Sequence, residues 1–206
     1  MAISNHTELK TAIANWLERD DLTDRIPEFI SLGEALLNRR LKTLEMEASA
    51  TIAPSTAVRY ASLPAGHMET ISFIDDLGDA LAAVDSETLE RIAYGKSASR
   101  PSYYRVSSRI DFDTVADATY GFTMRYLKRL DIATDLTNSV LTKHPDCYLY
   151  AALLQSAPFI MDDERINTWR ALLEVAVKDA NTQNSRNLAM LRTEFSSGGF
   201  NINTGR

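Results

Sequence analysis

The apolar residues of this chain change period twice. Near the N-terminus they recur as on one face of a helix. Between about residues 46 and 130 they alternate, and after that the helical spacing returns. A segment patterned for one period does not settle into the other, so the fold cannot be all-helical or all-strand. The expected class is α+β: a helical bundle from the N- and C-terminal segments with an antiparallel β-rich insertion. The expected divisions are N-terminal helices over 1–45, the insertion over 46–130, C-terminal helices over 131–184 and a flexible tail over 185–206.

Leu9, Ile13, Trp16 and Leu17 mark the first helix, with Ser4 or Asn5 to cap it and Asp20-Asp21 at its end. A second helix starts near Thr23 or Asp24 and tolerates Pro27 in its first turn. Its apolar face is Ile26, Phe29, Ile30, Gly33, Leu37 and Leu41. In the middle zone, strands are expected around Ala48–Ile52, Glu69–Ile74 and Tyr120–Tyr126. Leu81–Val84 is expected to return antiparallel, and a hairpin to turn across Ser107-Ser108-Arg109. A short helix, Glu87–Tyr94, starts at Ser86 and stops at Gly95. Pro145 opens a later helix, which Pro158 ends or kinks. Asp162-Asp163-Glu164 opens the next, with Ile166, Trp169, Leu172, Leu173, Ala176 and Val177 inward. From about Asn181 the chain turns polar, and its last stretch, Asn187–Arg206 within the 185–206 tail, is expected to lack stable structure in the isolated monomer.

Composition removes several classes of function. The net charge is −6, and residues 1–45, 46–130 and 131–206 each carry two more acids than bases. No zone has the basic excess that tight nucleic-acid binding uses to displace phosphate counterions. One cysteine, Cys147, permits no intrachain disulfide and suits a reducing compartment. Met1–His6 lacks the basic start and apolar core of a signal peptide. No apolar run is long enough to span a membrane.

No constellation reads as an active site, so no catalytic, cofactor or metal residue is assigned. Gly95-Lys96-Ser97 ends like a phosphate-binding loop, but Glu90 stands where that loop needs its first glycine. A helix C-cap is the simpler reading. Cys147 follows His144 and Asp146 near a helix start, where a thiol nucleophile is conceivable and a packed helical cysteine simpler. The acids 162–164 suit a helix N-terminus as well as a metal. Asp111 and Asp113 lack the glycine of a calcium loop, and His6, His67 and His144 lack zinc spacing.

Charge order is more informative. Asp75 to Glu90 holds six acids and no base; Arg91 to Arg109 holds five bases and no acid. These blocks either pair within one subunit or meet head-to-tail between subunits, which makes Arg100 and Arg105 candidate interface residues. In the tail, Phe195, Phe200 and Ile202 are candidate anchors. Phe200 and Ile202 alternate with Asn201 and Asn203, a pattern that can add a strand to a neighbouring sheet.

Four stretches together resemble a known family. They are Leu22–Ile30 with Glu34, Asn38-Arg39 and Glu45-Met46-Glu47; Leu63-Pro64-Ala65; Arg100-Pro101-Ser102-Tyr103-Tyr104; and His144–Leu153 with Asp162–Arg165 and Trp169. In this order they resemble phage head–tail adaptors, the tail tubular protein A or gatekeeper proteins of short-tailed phages. The resemblance covers roughly residues 7–180. It implies a non-enzymatic virion protein, made in the host cytoplasm, that forms a dodecameric ring under the portal. The implied partners are other copies of the chain, the portal protein and a tail nozzle or tail tube protein. Genomic DNA would pass through the channel without sequence-specific binding. Another phage connector (a head-completion, stopper or tail-terminator protein) is the alternative. A small hydrolase or transferase around His144, Asp146 and Cys147 is a more distant one.

Overall fold

The computed structural model describes residues 3–160 and 164–197. The chain is α+β and divides into two compact units. Met1–Met46 and Leu130–Arg206 form a helical unit; Glu47–Arg129 form a β unit inserted between its two halves.

The helical unit begins with α1, His6–Leu17. Asn5 caps it by accepting the Glu8 N–H at 3.0 Å, and the Glu8 carboxylate reaches back to the Ser4 N–H at 2.7 Å. Leu9, Ile13 and Leu17 are buried at the spacing of one helix face. Trp16, expected on that face, lies at its margin: it is 44% exposed and packs edge-on to Tyr150. The helix stops at Leu17 rather than at Asp20-Asp21, because Glu18 turns left-handed (φ 52°). A 3-10 turn, Asp20–Arg25, then runs directly into α2, Ile26–Arg40.

The buried face of α2 holds Ile26, Phe29, Ile30, Gly33 and Leu37, and also Glu34. Gly33 permits a close approach: a Cβ there would sit 3.0 Å from the Ala152 backbone N and 3.1 Å from the Ala151 carbonyl carbon. Those two alanines belong to α6, Pro145–Gln155. Cys147, Tyr148, Leu149, Ala151, Ala152 and Leu153 are all buried, so α6 is apolar all round, as a helix surrounded by others must be. It packs against α1, α2 and α7, Arg165–Ser197.

Two short helices precede α6. They are α4, Ile132–Asp135, and α5, Ser139–Lys143, capped by Asp131 and Asn138. Neither contains a full apolar repeat. Trp169, Leu173, Ala176, Val177 and Ala180 form the buried face of α7, while Leu172 is 37% exposed. Where a flexible tail was expected from residue 185, the backbone of α7 is helical to Ser197, and residues 198–206 lie outside the described residues. Residues 183–197 contain no glycine or proline, and Leu, Ala, Met, Arg and Glu among them favour helix. Asp162 and Asp163 lie outside the described residues.

The β unit holds β1 (Glu47–Ile52), β2 (Tyr60–Ala61), β3 (His67–Ile74), β4 (Ala82–Ala83), α3 (Ser86–Ala93), β5 (Tyr103–Val106), β6 (Ile110–Phe112) and β7 (Phe122–Lys128). One sheet has the order β1-β7-β3 and is antiparallel; the other has the order β2-β6-β5-β4. The expected antiparallel return of Leu81–Val84 is half correct. Ala80 bridges Ile74 antiparallel, but β4 then pairs parallel with β5. Parallel neighbours need a crossover, and α3 supplies it. Asp85 rather than Ser86 caps α3, accepting the Thr88 N–H at 2.9 Å.

The inward residues of the strands form one core: Ile52, Phe73, Leu81, Tyr104, Ile110, Phe112, Phe122, Met124 and Tyr126. Along β7, Phe122, Met124 and Tyr126 are buried while Thr123 and Arg125 are exposed, the period of two that a half-buried strand requires. Among the described residues, no helix is long and apolar enough to cross a membrane.

Candidate interaction surface and the polar clamp

The two charge blocks meet within one chain. Asp75 opens the tight turn after β3, its Oδ1 accepting the N–H groups of Leu77 at 2.9 Å and Asp79 at 2.8 Å. Gly78 supplies the positive φ of 95° that this turn needs. The second oxygen of Asp75 accepts from Arg100 at 2.8 Å, and the same guanidinium nitrogen donates to Asp76. Arg100 also lies over the Tyr120 ring, 4.3 Å from its centroid. Arg105 and Arg109 reach Asp111 at 3.6 and 2.6 Å. Arg59, outside both blocks, pairs with Glu90 at 3.2 Å.

Burial opposes ionisation of Asp75, but the Asp79 N–H, Arg100 and the Leu77 N–H outweigh it and hold the carboxyl below its ordinary value of 3.8. A depressed carboxylate stabilises the fold fully above the unfolded value, and that contribution is lost as pH falls through the folded value. Arg100→Gln therefore moves acid unfolding of the β unit to higher pH. Circular dichroism during acid titration tests this; an unchanged midpoint would show that Arg100 contributes nothing to Asp75.

The lysine of Gly95-Lys96-Ser97 is committed elsewhere. Its ammonium donates to Asp113, which is fully buried and also accepts the N–H groups of Ser102 at 3.1 Å and Tyr103 at 3.2 Å. Gly95 has a φ of 70°, the left-handed conformation of a residue just past a helix end. Asp111 and Asp113 thus pair with cations of their own unit. Among the described residues, no three His, Cys, Asp or Glu side chains gather as a metal site would require.

Cys147 is fully buried on α6. Burial, with a smaller contribution from the charge of Asp146, pushes its thiol up to about 12. Among the described residues, no hydrogen bond joins its sulfur to His144 or Asp146. A thiol nucleophile needs the opposite environment, one that favours thiolate. Ellman's reagent at pH 8 is expected to leave Cys147 unmodified in the folded chain and to label it in denaturant. Stoichiometric labelling of the folded protein would contradict this placement.

The least foreseeable arrangement is a polar clamp in the helical unit. Asn38, on α2, takes both backbone groups of Leu130: its Nδ2 donates to the carbonyl at 3.1 Å and its Oδ1 accepts the N–H at 2.8 Å. One turn earlier, buried Glu34 accepts the Ile132 N–H at 2.7 Å and the Tyr148 hydroxyl at 3.1 Å. That hydroxyl accepts in turn from Asn138 at 2.7 Å. Burial raises the Tyr148 phenol, with the nearby Glu34 charge adding to the effect, so it stays protonated and able to donate. The chain re-enters the helical unit at Leu130–Ile132, and these side chains hold it there. Asn181 repeats the device at the end of α2, bonding the Arg40 carbonyl at 3.1 Å and the Lys42 N–H at 3.2 Å.

Of the sequence-derived interface residues, Arg100 and Arg105 are partly exposed and paired within their own chain. Phe195 falls on the backbone of α7, and Phe200 and Ile202 lie outside the described residues. Glu34 and Asn38 were visible in sequence only as members of a resembling stretch. Their partners lie about a hundred residues away, beyond any local pattern.

No curated protein matches the chain. A family model described as SU10 adaptor protein matches residues 4–194, a span that includes all of the β unit, most of the helical unit and every residue of the clamp. The chain therefore belongs to the SU10 adaptor protein family, a phage adaptor family whose role is structural.

Proposed function

We propose that this virion component acts as a head-to-tail adaptor, a dodecameric ring docked under the portal and joined to a tail nozzle or tail tube protein. Genomic DNA passes through its channel without sequence-specific binding, in the manner of tail tubular protein A and gatekeeper proteins. The family match over residues 4–194 carries the reading. Two features support it. Acidic excess in every zone suits a conduit along which DNA slides rather than adheres. The clamp also anchors the return from the insertion on a buried carboxylate and a paired amide, which suits a part that must transmit load between two partners.

Electron microscopy of the purified chain, alone and mixed with the portal protein of its phage, tests this. Rings that bind the portal face-on are expected. A chain that stays monomeric with portal present, or that maps to the distal tail of the particle, would overturn the reading.

A further inference from the structure

The edges of the β unit are not alike. β2 and β4 are two residues long. The register of β3 is broken between His67 and Glu69 and again between Thr70 and Ser72, and Leu81 bonds back to Phe73 at 2.8 Å. Short strands and bulges are how proteins blunt exposed sheet edges. β1 has no such guard. It pairs with β7 in unbroken register from Glu47↔Leu127 to Ile52↔Phe122, and its other side meets no strand among the described residues. It has one charge, Glu47, and no lysine or proline.

The inward face of β1 carries two small, partly buried side chains, Ala48 and Ala50, before buried Ile52. They pack against a core that includes Phe73, Phe122, Met124 and Tyr126. A strand added beside β1 would set its inward side chains next to these alanines. Its outward ones would join Glu47, Ser49 and Thr51, all exposed.

One segment of the chain has the matching pattern. It lies beyond Ser197, where α7 ends. It begins with Gly198-Gly199, continues as Phe200-Asn201-Ile202-Asn203-Thr204, and carries no charged side chain before Arg206. We propose that Phe200–Thr204 of a neighbouring copy adds as a strand to the open edge of β1, with Phe200 and Ile202 covering Ala48 and Ala50. The choice of a neighbouring copy rests on the ring reading above. Main-chain hydrogen bonds supply attachment, and alternation supplies register.

The test uses the full chain in two tagged forms of different length. One carries Glu47→Cys, Ser49→Cys or Thr51→Cys; the other carries Asn201→Cys. They are mixed at assembly concentration and oxidised. A disulfide between the two tagged forms is expected for at least one position, its yield falling about tenfold when Ile202→Asp is added to the second form. Hydrogen exchange of β1 should also slow in the oligomer, and not after truncation at Ser197. The proposal is overturned if an oligomer forms without any such disulfide, if the link forms only within one chain, or if Ile202→Asp leaves its yield unchanged. Electron microscopy of the same samples separates the two readings. Rings without the link remove the strand addition alone; the link without rings removes the ring alone.

Discussion

Glu34→Ala is expected to destabilise the helical unit by about 2–6 kcal/mol, because it leaves two buried donors without an acceptor at about 1–3 kcal/mol each. The donors are the Ile132 N–H and the Tyr148 hydroxyl. Water cannot replace the lost oxygen cheaply, since Ile132 is fully buried and Tyr148 only 2% exposed. Glu34→Gln keeps a carbonyl oxygen of similar reach and should lose less than half as much. Both tryptophans, Trp16 and Trp169, belong to the helical unit, so their fluorescence during urea unfolding reports on that unit. A Glu34→Ala midpoint equal to that of the unmodified chain would mean that the clamp does not hold the return segment.

The second large effect concerns the β unit. Phe122→Ala removes a fully buried ring from its central strand, β7. That ring packs edge-on to Phe73 at 5.9 Å and to Phe112 at 6.2 Å, and stacks on Tyr120 at 5.9 Å. Both sheets contribute to this cluster, so neither can close the cavity without leaving its register. Loss of a buried phenylalanine typically costs about 3–5 kcal/mol. Phe122→Leu, which retains most of the volume, should cost about half. Hydrogen exchange of β1, β3 and β7 amides is the measurement, because it reads this unit directly. Exchange unchanged by Phe122→Ala would place the core elsewhere.

These two residues differ in how far the sequence announced them. Phe122 stands in an alternating stretch, and alternation is local: each side chain faces away from the next whatever the rest of the chain does. The same holds for Leu9, Ile13 and Leu17 on α1 and for the Ile26-to-Leu37 face of α2. Glu34 sits among those apolar residues, and its burial depends on donors 98 and 114 positions later. Nothing near a carboxylate in sequence says whether its partner is water or a distant backbone N–H. The short helices α4 and α5 escaped notice for a related reason. With four and five residues they span little more than one turn, too little for a period to register.

The charge blocks lie between these cases. Their complementarity is plain in the order of residues, yet the order is equally compatible with pairing inside a subunit or between subunits. The turn at Asp75–Asp79 brings Asp75 and Asp76 to Arg100, and only that geometry makes the pair internal. The end of α7 shows the reverse bias. Polar composition suggested an unstructured tail, whereas helix propensity without a glycine or proline carries the backbone to Ser197.

By itself, then, the sequence determined the α+β class and the inward residues of the longer elements, because periodicity and turn residues act over a few positions. The tertiary structure decided which polar groups are buried, which charges are already partnered and which strand, among the described residues, ends its sheet. Those outcomes depend on contacts between residues far apart in the chain, and burial converts such contacts from optional to obligatory by removing water as the alternative partner.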